Sequence, residues 1–235
     1  GIVYASEIEE YVESETVEDY PVTVFISNEG YLKKITPLSL RMNSEQKFKD
    51  GDALRMSFEA TNRSEMLIFT DKQQVYKTRL SDFDDTKASA LGTYLPTKLS
   101  MDEGERVIEV VCPGNYRKNL LLFFENGKVA KVDLSAYATK TNRRKLVGAY
   151  SDKSPLVAIV HIAEDQEFML TASSGRRLLA HTGAIAAKST RSTQGVQVMT
   201  LKRHAVLEKV EPFREDMVAK PARYRTKTLP AAGAM

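Results

Sequence analysis

The side chains that most often carry acid–base, nucleophilic or metal chemistry are scattered in this sequence. His161, His181 and His204 lack the spacing of metal ligands, and neither a carboxylate nor a second cysteine completes a zinc set with them. The single cysteine, Cys112, has no local nucleophile signature and cannot form an internal disulfide. Glycine-rich phosphate loops are absent as well. The sequence therefore predicts no catalytic residue, no metal site and no cofactor.

Positive charge is the chemistry that the sequence offers instead. There are 34 lysine and arginine residues against 31 acids, a formal net charge of +3. The first twenty residues are acidic and contain no lysine or arginine, so the rest of the chain is more basic than the total indicates. A basic body favours a polyanionic partner, although many solvated surfaces reach such a charge without binding anything. The densest basic cluster is Arg143-Arg144-Lys145.

The elements that must position these bases are short β-strands in repeated hairpins. Runs of branched and aromatic residues flank a tight turn in four places: 22–35, 66–78, 120–132 and 168–179. The aligned turn positions are Gly30, Gln73, Gly127 and Gly175. Glycine suits such a turn because it accepts positive φ. Gln73 departs from the pattern, and a different turn is expected there.

A second pair of strands follows each hairpin. In the second unit this pair is 91–99 and 106–111, and in the fourth it is 195–201 and 205–210. The first unit has a shorter equivalent at 51–58. Roughly four strands in a repeat of about 45 residues are typical of propeller blades. We therefore predict an all-β fold, a propeller-like array of about four to five four-stranded blades.

Composition divides the chain into three parts. Residues 1–20 form an acidic lead-in, 21–213 the β domain and 214–235 a flexible basic tail. The lead-in is either a solvated connector or a shield for basic surface. No apolar run is long enough to cross a membrane, and the beginning does not resemble a signal peptide. The lone cysteine favours a reducing, cytoplasmic setting, without membrane association.

The repeat resembles the blade unit in the C-terminal domain of bacterial type IIA topoisomerase A subunits, the DNA gyrase A and topoisomerase IV A family. The matching residues are Ser27–Gly30 with Lys33-Lys34, Phe124–Gly127 with Lys131, and a later half at Arg191–Leu201. The resemblance implies a β-pinwheel, a propeller-like disc that binds duplex DNA with little sequence preference and bends it. It also implies two partners, an N-terminal part of the same polypeptide that cleaves DNA and a separate ATPase B subunit. This chain is then not an enzyme by itself.

One motif departs from the gyrase pattern. Gyrase carries a Gln-Arg-Arg-Gly-Gly-Lys-Gly-like box in its first blade, and the corresponding segment here is Glu45-Gln46-Lys47-Phe48-Lys49-Asp50-Gly51. The arginine pair and the double glycine are missing. In this respect the sequence looks more like topoisomerase IV than like a supercoiling gyrase.

The resemblance makes the bases in or after the hairpins, and those in basic loops, candidates for contacts with DNA phosphates. For each one the alternative is a solubilising surface charge that guards a strand edge. For the whole domain the alternative is a propeller-type protein-interaction module, against which the recurrence of bases at equivalent hairpin positions argues. The candidate DNA-binding residues are Lys33, Lys34, Lys47, Lys49, Lys77, Arg79, Lys128, Lys131, Arg143, Arg144, Lys145, Arg176, Arg177, Lys188 and Arg191.

Overall fold

The computed structural model describes residues 16–139 and 144–235, and most of its regular structure is β-strand. The chain divides into two compact units, unit 1 at Gly1–Gly114 and unit 2 at Asn115–Met235. Each unit is built around two small, mainly antiparallel sheets that contain the predicted hairpins. The all-β, blade-like class predicted from the repeats is therefore confirmed.

Unit 1 holds the first two hairpins, in sheets A and B. Sheet A has the order β3-β1-β2, with β6 parallel and β7 antiparallel to β2, and sheet B has the order β5-β4-β8. The core of unit 1 is apolar because the residues buried at alternate positions of β1, and all of Met66–Phe69, have apolar side chains. The elements are β1 (Pro21–Ser27), β2 (Tyr31–Ile35), α1 (Pro37–Met42), β3 (Leu54–Thr61), β4 (Glu65–Thr70), β5 (Gln74–Arg79), a 3₁₀ helix (Leu80–Asp82), β6 (Asp85–Thr86), β7 (Thr93–Tyr94), α2 (Leu95–Lys98) and β8 (Val107–Val111).

Unit 2 holds the other two hairpins, in sheets C and D. Sheet C has the order β12-β9-β10-β15 and sheet D the order β14-β13-β16. The rings of Phe123 and Phe168, one from each sheet, lie 5.5 Å apart in the shared core. The elements are β9 (Asn119–Phe124), β10 (Lys128–Asp133), a 3₁₀ helix (Leu134–Tyr137), β11 (Lys145–Val147), β12 (Leu156–Ile162), β13 (Glu167–Ala172), β14 (Arg177–His181), a 3₁₀ helix (Thr182–Ala184), β15 (Val196–Gln197), β16 (Leu207–Pro212) and a 3₁₀ helix (Pro221–Arg223).

The second strand pair of each repeat is divided between two sheets, which the sequence did not reveal. The later strands, β8 and β16, pair with the hairpins of their own repeats. The earlier strands, β7 and β15, pair instead with the preceding hairpins, through β2 and β10. The predicted strand 91–99 is correspondingly short. It gives way at Leu95 to α2, which has Pro96 in its first turn, where proline is tolerated.

The hairpin turns agree with the aligned positions. Gly30, Gly127 and Gly175 all have positive φ, between 83° and 98°. Gln73 occupies the same place with φ of 53°, within the left-handed region that other L-residues visit less often. The turn at Gln73 therefore differs in its dihedral angle but keeps the same hairpin.

Residues 214–235, predicted to be a flexible tail, are docked on sheet D. Tyr224 is buried and packs in a cluster with Met169 and Leu179. The amide of Arg177 donates to the carbonyl of Ala234 (2.8 Å), and the amide of Ala234 donates back (2.9 Å). The composition predicted a flexible or loosely docked tail, and the segment is docked because it satisfies the backbone groups at the edge of β14.

Candidate nucleic-acid interface

Two predicted DNA contacts, Lys34 and Lys131, are buried clamps between neighbouring sheets. Lys34 leaves β2 of sheet A, and its Nζ donates to Asn62 Oδ1 (2.7 Å), in the turn between β3 and β4, and to the Leu80 carbonyl (3.0 Å), directly after β5 of sheet B. Lys131 leaves β10 of sheet C and makes the equivalent contacts with Asp165 Oδ1 (2.8 Å), in the turn between β12 and β13, and with the Thr182 carbonyl (3.1 Å), directly after β14 of sheet D.

The clamp geometry explains why a lysine recurs four residues after the hairpin turn. Lys34 and Lys131 are only 2% and 7% exposed, and each tethers the first residue of a 3₁₀ helix in the next repeat. Asp85 lies 3.2 Å from the Lys34 ammonium as a partly exposed counter-charge. We therefore do not expect Lys34 and Lys131 to contact DNA phosphates directly, because their ammonium groups donate hydrogen bonds to acceptors inside the protein.

Lys33 is buried too, and it fixes the segment that corresponds to the gyrase box. Its Nζ donates to Gln46 Oε1 (3.1 Å) and to the carbonyls of Lys47 (2.7 Å) and Ala88 (2.8 Å). It lies 5.3 Å from the centre of the Phe48 ring. Burial lowers the pKa of Lys33. The prediction that Lys33 contacts DNA is likewise corrected, because this residue positions a loop from within.

The loop that Lys33 holds, 43–53, presents two of the predicted bases to solvent. Lys47 and Lys49 are exposed, while the backbone amide of Lys47 is fixed by the carbonyl of Ala88 at 2.9 Å. The far end of the loop is held by Asp52, whose Oδ1 accepts from the amides of Glu29 (3.1 Å) and Ala53 (2.8 Å). The loop therefore has a defined backbone from which two lysine side chains project.

Of the two predicted DNA-binding residues on β5, Lys77 is partly buried and Arg79 is exposed. Lys77 is partly buried, and its Nζ lies 3.5 Å from Glu65 Oε1 on the adjacent strand. Arg79 ends the strand and is exposed. Of these two, Arg79 is the one whose position suits a phosphate.

In unit 2, two exposed bases, Lys118 and Lys188, lie beside the start of the 3₁₀ helix Leu134–Tyr137. The amide of Asp133 donates to the Lys188 carbonyl (2.8 Å), and the next amide, that of Leu134, donates to the Lys118 carbonyl (2.9 Å). Arg144 and Lys145, also exposed, shortly precede Ala149, whose carbonyl accepts from Tyr137 Oη at 2.7 Å. We call the exposed residues Lys118, Arg144, Lys145 and Lys188 the basic edge.

Arg191 supports the basic edge more than it belongs to it. Its guanidinium donates to the carbonyl of Ala136, within the 3₁₀ helix, at 2.9 Å. Its Nε is buried and has no hydrogen-bond partner among the residues that the structure describes. Burial raises the pKa of the neighbouring Tyr137 well above its usual range, and Arg191 opposes that shift. Arg191 therefore fixes the helix around which the exposed bases lie.

The remaining candidates in unit 2 are half-buried at strand ends. Lys128 begins β10, with its Nζ 3.4 Å from Gln194 Oε1. Arg176 donates to the carbonyl of Gly233 at 3.2 Å, and the guanidinium of Arg177 lies 4.7 Å from the centre of the Tyr224 ring. These arginines hold the docked C-terminal segment. Arg143 lies outside the described residues, as do residues 1–15 of the acidic lead-in.

Metal or membrane chemistry is not indicated by the part of the chain that the structure describes. Across residues 16–139 and 144–235, no three histidine, cysteine or acidic side chains are grouped as a metal would require. His181 accepts from the amide of Gly183 at 3.0 Å as the cap of a 3₁₀ helix. Within the same described residues, no helix has the length and apolar character needed to span a bilayer.

Comparison with known proteins connects this arrangement to one class. The family model "DNA gyrase C-terminal domain, beta-propeller" matches residues 64–112, one repeat from β4 to β8. The A subunit of DNA topoisomerase 4 from Bacillus subtilis (strain 168) is 27% identical over 160 residues, which cover 66% of this chain and 20% of the relative. The chloroplastic/mitochondrial DNA gyrase A subunit of Arabidopsis thaliana is 24% identical over 208 residues, 83% of this chain and 22% of the relative. The chain thus spans about a fifth of these relatives.

Solved structures agree on the fold. The C-terminal domain of DNA topoisomerase IV superposes with a TM-score of 0.71 at 22% identity, covering 85% of this chain and 63% of that one. A DNA gyrase A C-terminal domain superposes with a TM-score of 0.61 at 15% identity, covering 91% and 76%. The fold is therefore that of the β-pinwheel domains. The resemblance recognised in the repeats is confirmed: the chain is similar to the C-terminal domains of topoisomerase IV and gyrase A subunits.

Proposed function

We propose that this domain binds duplex DNA through its exposed bases, without reading sequence, and bends it. In the complete topoisomerase it steers DNA for strand passage, while the cleavage region of the same polypeptide and an ATPase B subunit supply the chemistry. The observation that carries the proposal is the basic edge, in which the exposed Lys118 and Lys188 adjoin the start of one 3₁₀ helix and the exposed Arg144 and Lys145 follow that helix along the chain.

The electrostatics of the basic edge suit a phosphate backbone. A duplex offers phosphates along both strands, and each phosphate that a lysine or arginine neutralises releases condensed counterions. Asp133 is an acid beside this group, but the four bases of the basic edge outnumber it and leave an excess of positive charge. Because Arg191 and Tyr137 fix the helix whose start contacts Lys118 and Lys188, these two bases do not have to order a loop before they bind.

Unit 1 contributes a second set of bases on the loop 43–53. Lys47 and Lys49 project from a loop that Lys33 anchors through Gln46 Oε1 and the Lys47 carbonyl, so this loop is also preordered. Bending a site of 20–30 base pairs costs on the order of 1–6 kcal/mol, which several separated contacts together can supply. Each of the two fixed clusters is therefore proposed to supply part of that energy.

The clamps weaken one argument for DNA binding and leave another intact. The lysine that recurs after the first and third hairpins is explained by the packing of Lys34 and Lys131, so its recurrence no longer separates a DNA-binding domain from a protein-interaction module. A protein contact has one specific feature in its favour: Leu38 and Met42, on one face of α1, are 62% and 82% exposed. The exposed basic edge favours DNA as the principal ligand.

The test is fluorescence anisotropy of a labelled duplex of about 40 base pairs at several salt concentrations. The variant Arg144→Ala/Lys145→Ala/Lys188→Ala is compared with Lys153→Ala/Lys202→Ala/Arg203→Ala, which removes equal charge from exposed positions elsewhere in unit 2. The logarithm of the binding constant falls with the logarithm of the salt concentration. Each lost phosphate contact reduces the magnitude of that slope by about 0.9. We expect a reduction of about 2 to 3 in the first variant and little change in the second.

Bending is measured on the same duplex by energy transfer between dyes at its two ends. We expect transfer to rise on binding of the unmodified domain and less in the basic-edge variant at matched saturation. Equal losses of affinity in the two variants would reduce the effect to net charge and overturn the proposed site. No binding at low salt would overturn the DNA function, and the apolar face of α1 would become the surface to pursue.

A further inference from the structure

Sheets A and C each receive their outer strand from a crossover segment with the same three-part layout. In sheet A the segment first pairs in parallel with the end of β2, at Asp85 and Thr86, and later runs antiparallel to its beginning, at Thr93 and Tyr94. In sheet C the segment makes a parallel bridge to Val132 through Lys188, then pairs antiparallel to β10 through β15. Each crossover thus pairs twice with one strand, in opposite senses.

A glycine marks the point where each crossover approaches the sheet. Gly195 has φ of 77°, and a Cβ built on it would lie 2.3 Å from the Val129 carbonyl oxygen. Gly92 meets Leu32 in the same way at 2.4 Å. Only glycine allows the backbone this close, so the residue identifies the motif.

The C-terminal segment repeats this layout on sheet D. It makes a parallel bridge between Arg225 and Leu179, then an antiparallel bridge between Ala234 and Arg177. Between them comes Gly233, with φ of 77° and a hypothetical Cβ 2.3 Å from the Arg177 carbonyl oxygen. Residues 225–234 are therefore the crossover segment of sheet D.

The equivalence also aligns an exposed lysine in the crossovers of sheets A and D. Leu179 and Lys34 each lie four residues after the hairpin glycine, so their bridge partners, Arg225 and Asp85, correspond. Two residues further on are Lys227 and Lys87, both exposed. Lys188 of the basic edge lies within one position of this place in the sheet C crossover.

We propose that the docked C-terminal segment is a third part of the DNA-binding surface, with Lys220 and Lys227 as its phosphate contacts. The proposal rests on the DNA-binding function proposed above and adds a site that the sequence assigned to a flexible tail. Lys220 immediately precedes the 3₁₀ helix Pro221–Arg223 and is exposed. Repetition of one backbone layout carries a base to the same position in the crossovers of sheets A and D and to the adjacent position in sheet C.

The other bases of the segment dock it. Arg225 makes a two-pronged ion pair with Glu167, at 2.8 and 2.9 Å, and lies 5.2 Å from the centre of the Phe213 ring. The Nε of Arg223 donates to the carbonyl of Met235 at 3.2 Å. The pairing of Arg225 with Glu167 raises the pKa of Arg225 further, so it stays charged. These contacts hold the backbone from which Lys220 and Lys227 extend.

The experiment uses the full chain in the duplex titration described above. Lys220→Ala/Lys227→Ala is compared with Lys202→Ala/Arg203→Ala, which removes the same charge from the exposed turn before β16. We expect the salt slope to fall by about 2 in the first variant and to stay unchanged in the second. In a Cys112→Ser background, a photo-crosslinker on Lys227→Cys should attach to DNA more efficiently than one on Lys202→Cys.

The outcomes separate this inference from the function on which it rests. Failure of the unmodified chain to bind DNA would overturn the proposed function. Normal binding by the unmodified chain, with an unchanged salt slope in Lys220→Ala/Lys227→Ala and no preferential crosslink at 227, would overturn only the C-terminal contact. An equal fall in both double variants would also overturn it, because charge alone would then account for the effect.

Discussion

Replacing Lys131 by methionine should destabilise unit 2 without removing a DNA contact. Methionine keeps most of the aliphatic length of lysine but has no ammonium group. The carbonyl of buried Thr182 then loses a charged donor at 3.1 Å, and Asp165 loses one at 2.8 Å. A hydrogen bond to a charged group contributes about 1.5–3 kcal/mol, and a buried acceptor left unsatisfied costs a similar amount. Asp165 is 43% exposed and can regain water. The expected loss is therefore about 3 kcal/mol.

The assay is urea unfolding followed by circular dichroism, with amide hydrogen exchange at Thr182 as a local probe. Lys153→Met is the control, because Lys153 is exposed and only 4.0 Å from Asp152, and its effect should stay within about 0.5 kcal/mol. Once folded, Lys131→Met should bind duplex DNA with the same salt slope as the unmodified chain. A phosphate contact would lower that slope by about 0.9 instead.

The clamp also predicts a dependence on pH. The Lys131 hydrogen bond, with that of Thr182, holds the pKa of Asp165 below its usual value. A depressed pKa stabilises the fold above the unfolded-state pKa of about 3.9, and this contribution is lost as pH falls through the folded value. The stability gap between the unmodified chain and Lys131→Met should therefore narrow below about pH 4. A gap that is absent at neutral pH, or a changed salt slope in a stable variant, would refute the clamp.

Three further changes test other parts of the fold. Glu105→Gln should destabilise unit 1 by about 2–3 kcal/mol in urea unfolding. The buried carboxylate accepts from Tyr76 Oη at 2.6 Å, whereas the NH₂ group of a glutamine would face hydrogen-bond donors that need an acceptor. Burial acts to raise the pKa of Glu105, but its hydrogen bonds outweigh burial, and the net pKa is lowered. The stability that Glu105 contributes should therefore be lost only as pH falls below about 4. A Glu105→Gln variant as stable as the unmodified chain would contradict this role. Gly195→Val should cost at least about 3 kcal/mol of thermal stability from backbone strain and the clash with Val129, whereas an unchanged melting temperature would disprove the close approach. Burial raises the pKa of the Cys112 thiol to about 11, so a thiol reagent at about pH 8 should react slowly with the folded chain and rapidly in denaturant; equal rates would show that the thiol is accessible.

The hairpins could be predicted from sequence because their determinants are local. Branched residues on both sides of Gly30, Gly127 and Gly175 specify strand, turn and strand over about a dozen positions. The partners of β7 and β15 could not be predicted in this way, since either neighbouring hairpin offers a compatible edge. That choice depends on the close approach of Gly92 and Gly195 to a distant carbonyl.

The candidate interface was predictable in composition but not in detail. The presence of a lysine does not show whether its side chain points outward, and the clamping role of Lys34 depends on Asn62 and Leu80, far along the chain. Lys118 was missed because it precedes β9, outside the hairpin pattern. Lys227 was missed because the composition of 214–235 resembles a disordered tail, whereas the one informative residue was Gly233.

The sharing of strands between successive hairpins puts the sequence repeat out of phase with the folded sheet. A deletion cut from one hairpin to the next would remove a sheet and also take the outer strand away from the preceding one. Gene rearrangements that change the number of sheets in such a chain must therefore break and rejoin within crossovers, so that every remaining edge is covered. Because each crossover strand completes the preceding sheet, only length variants that add or remove a hairpin together with the crossover that covers it can keep every sheet complete.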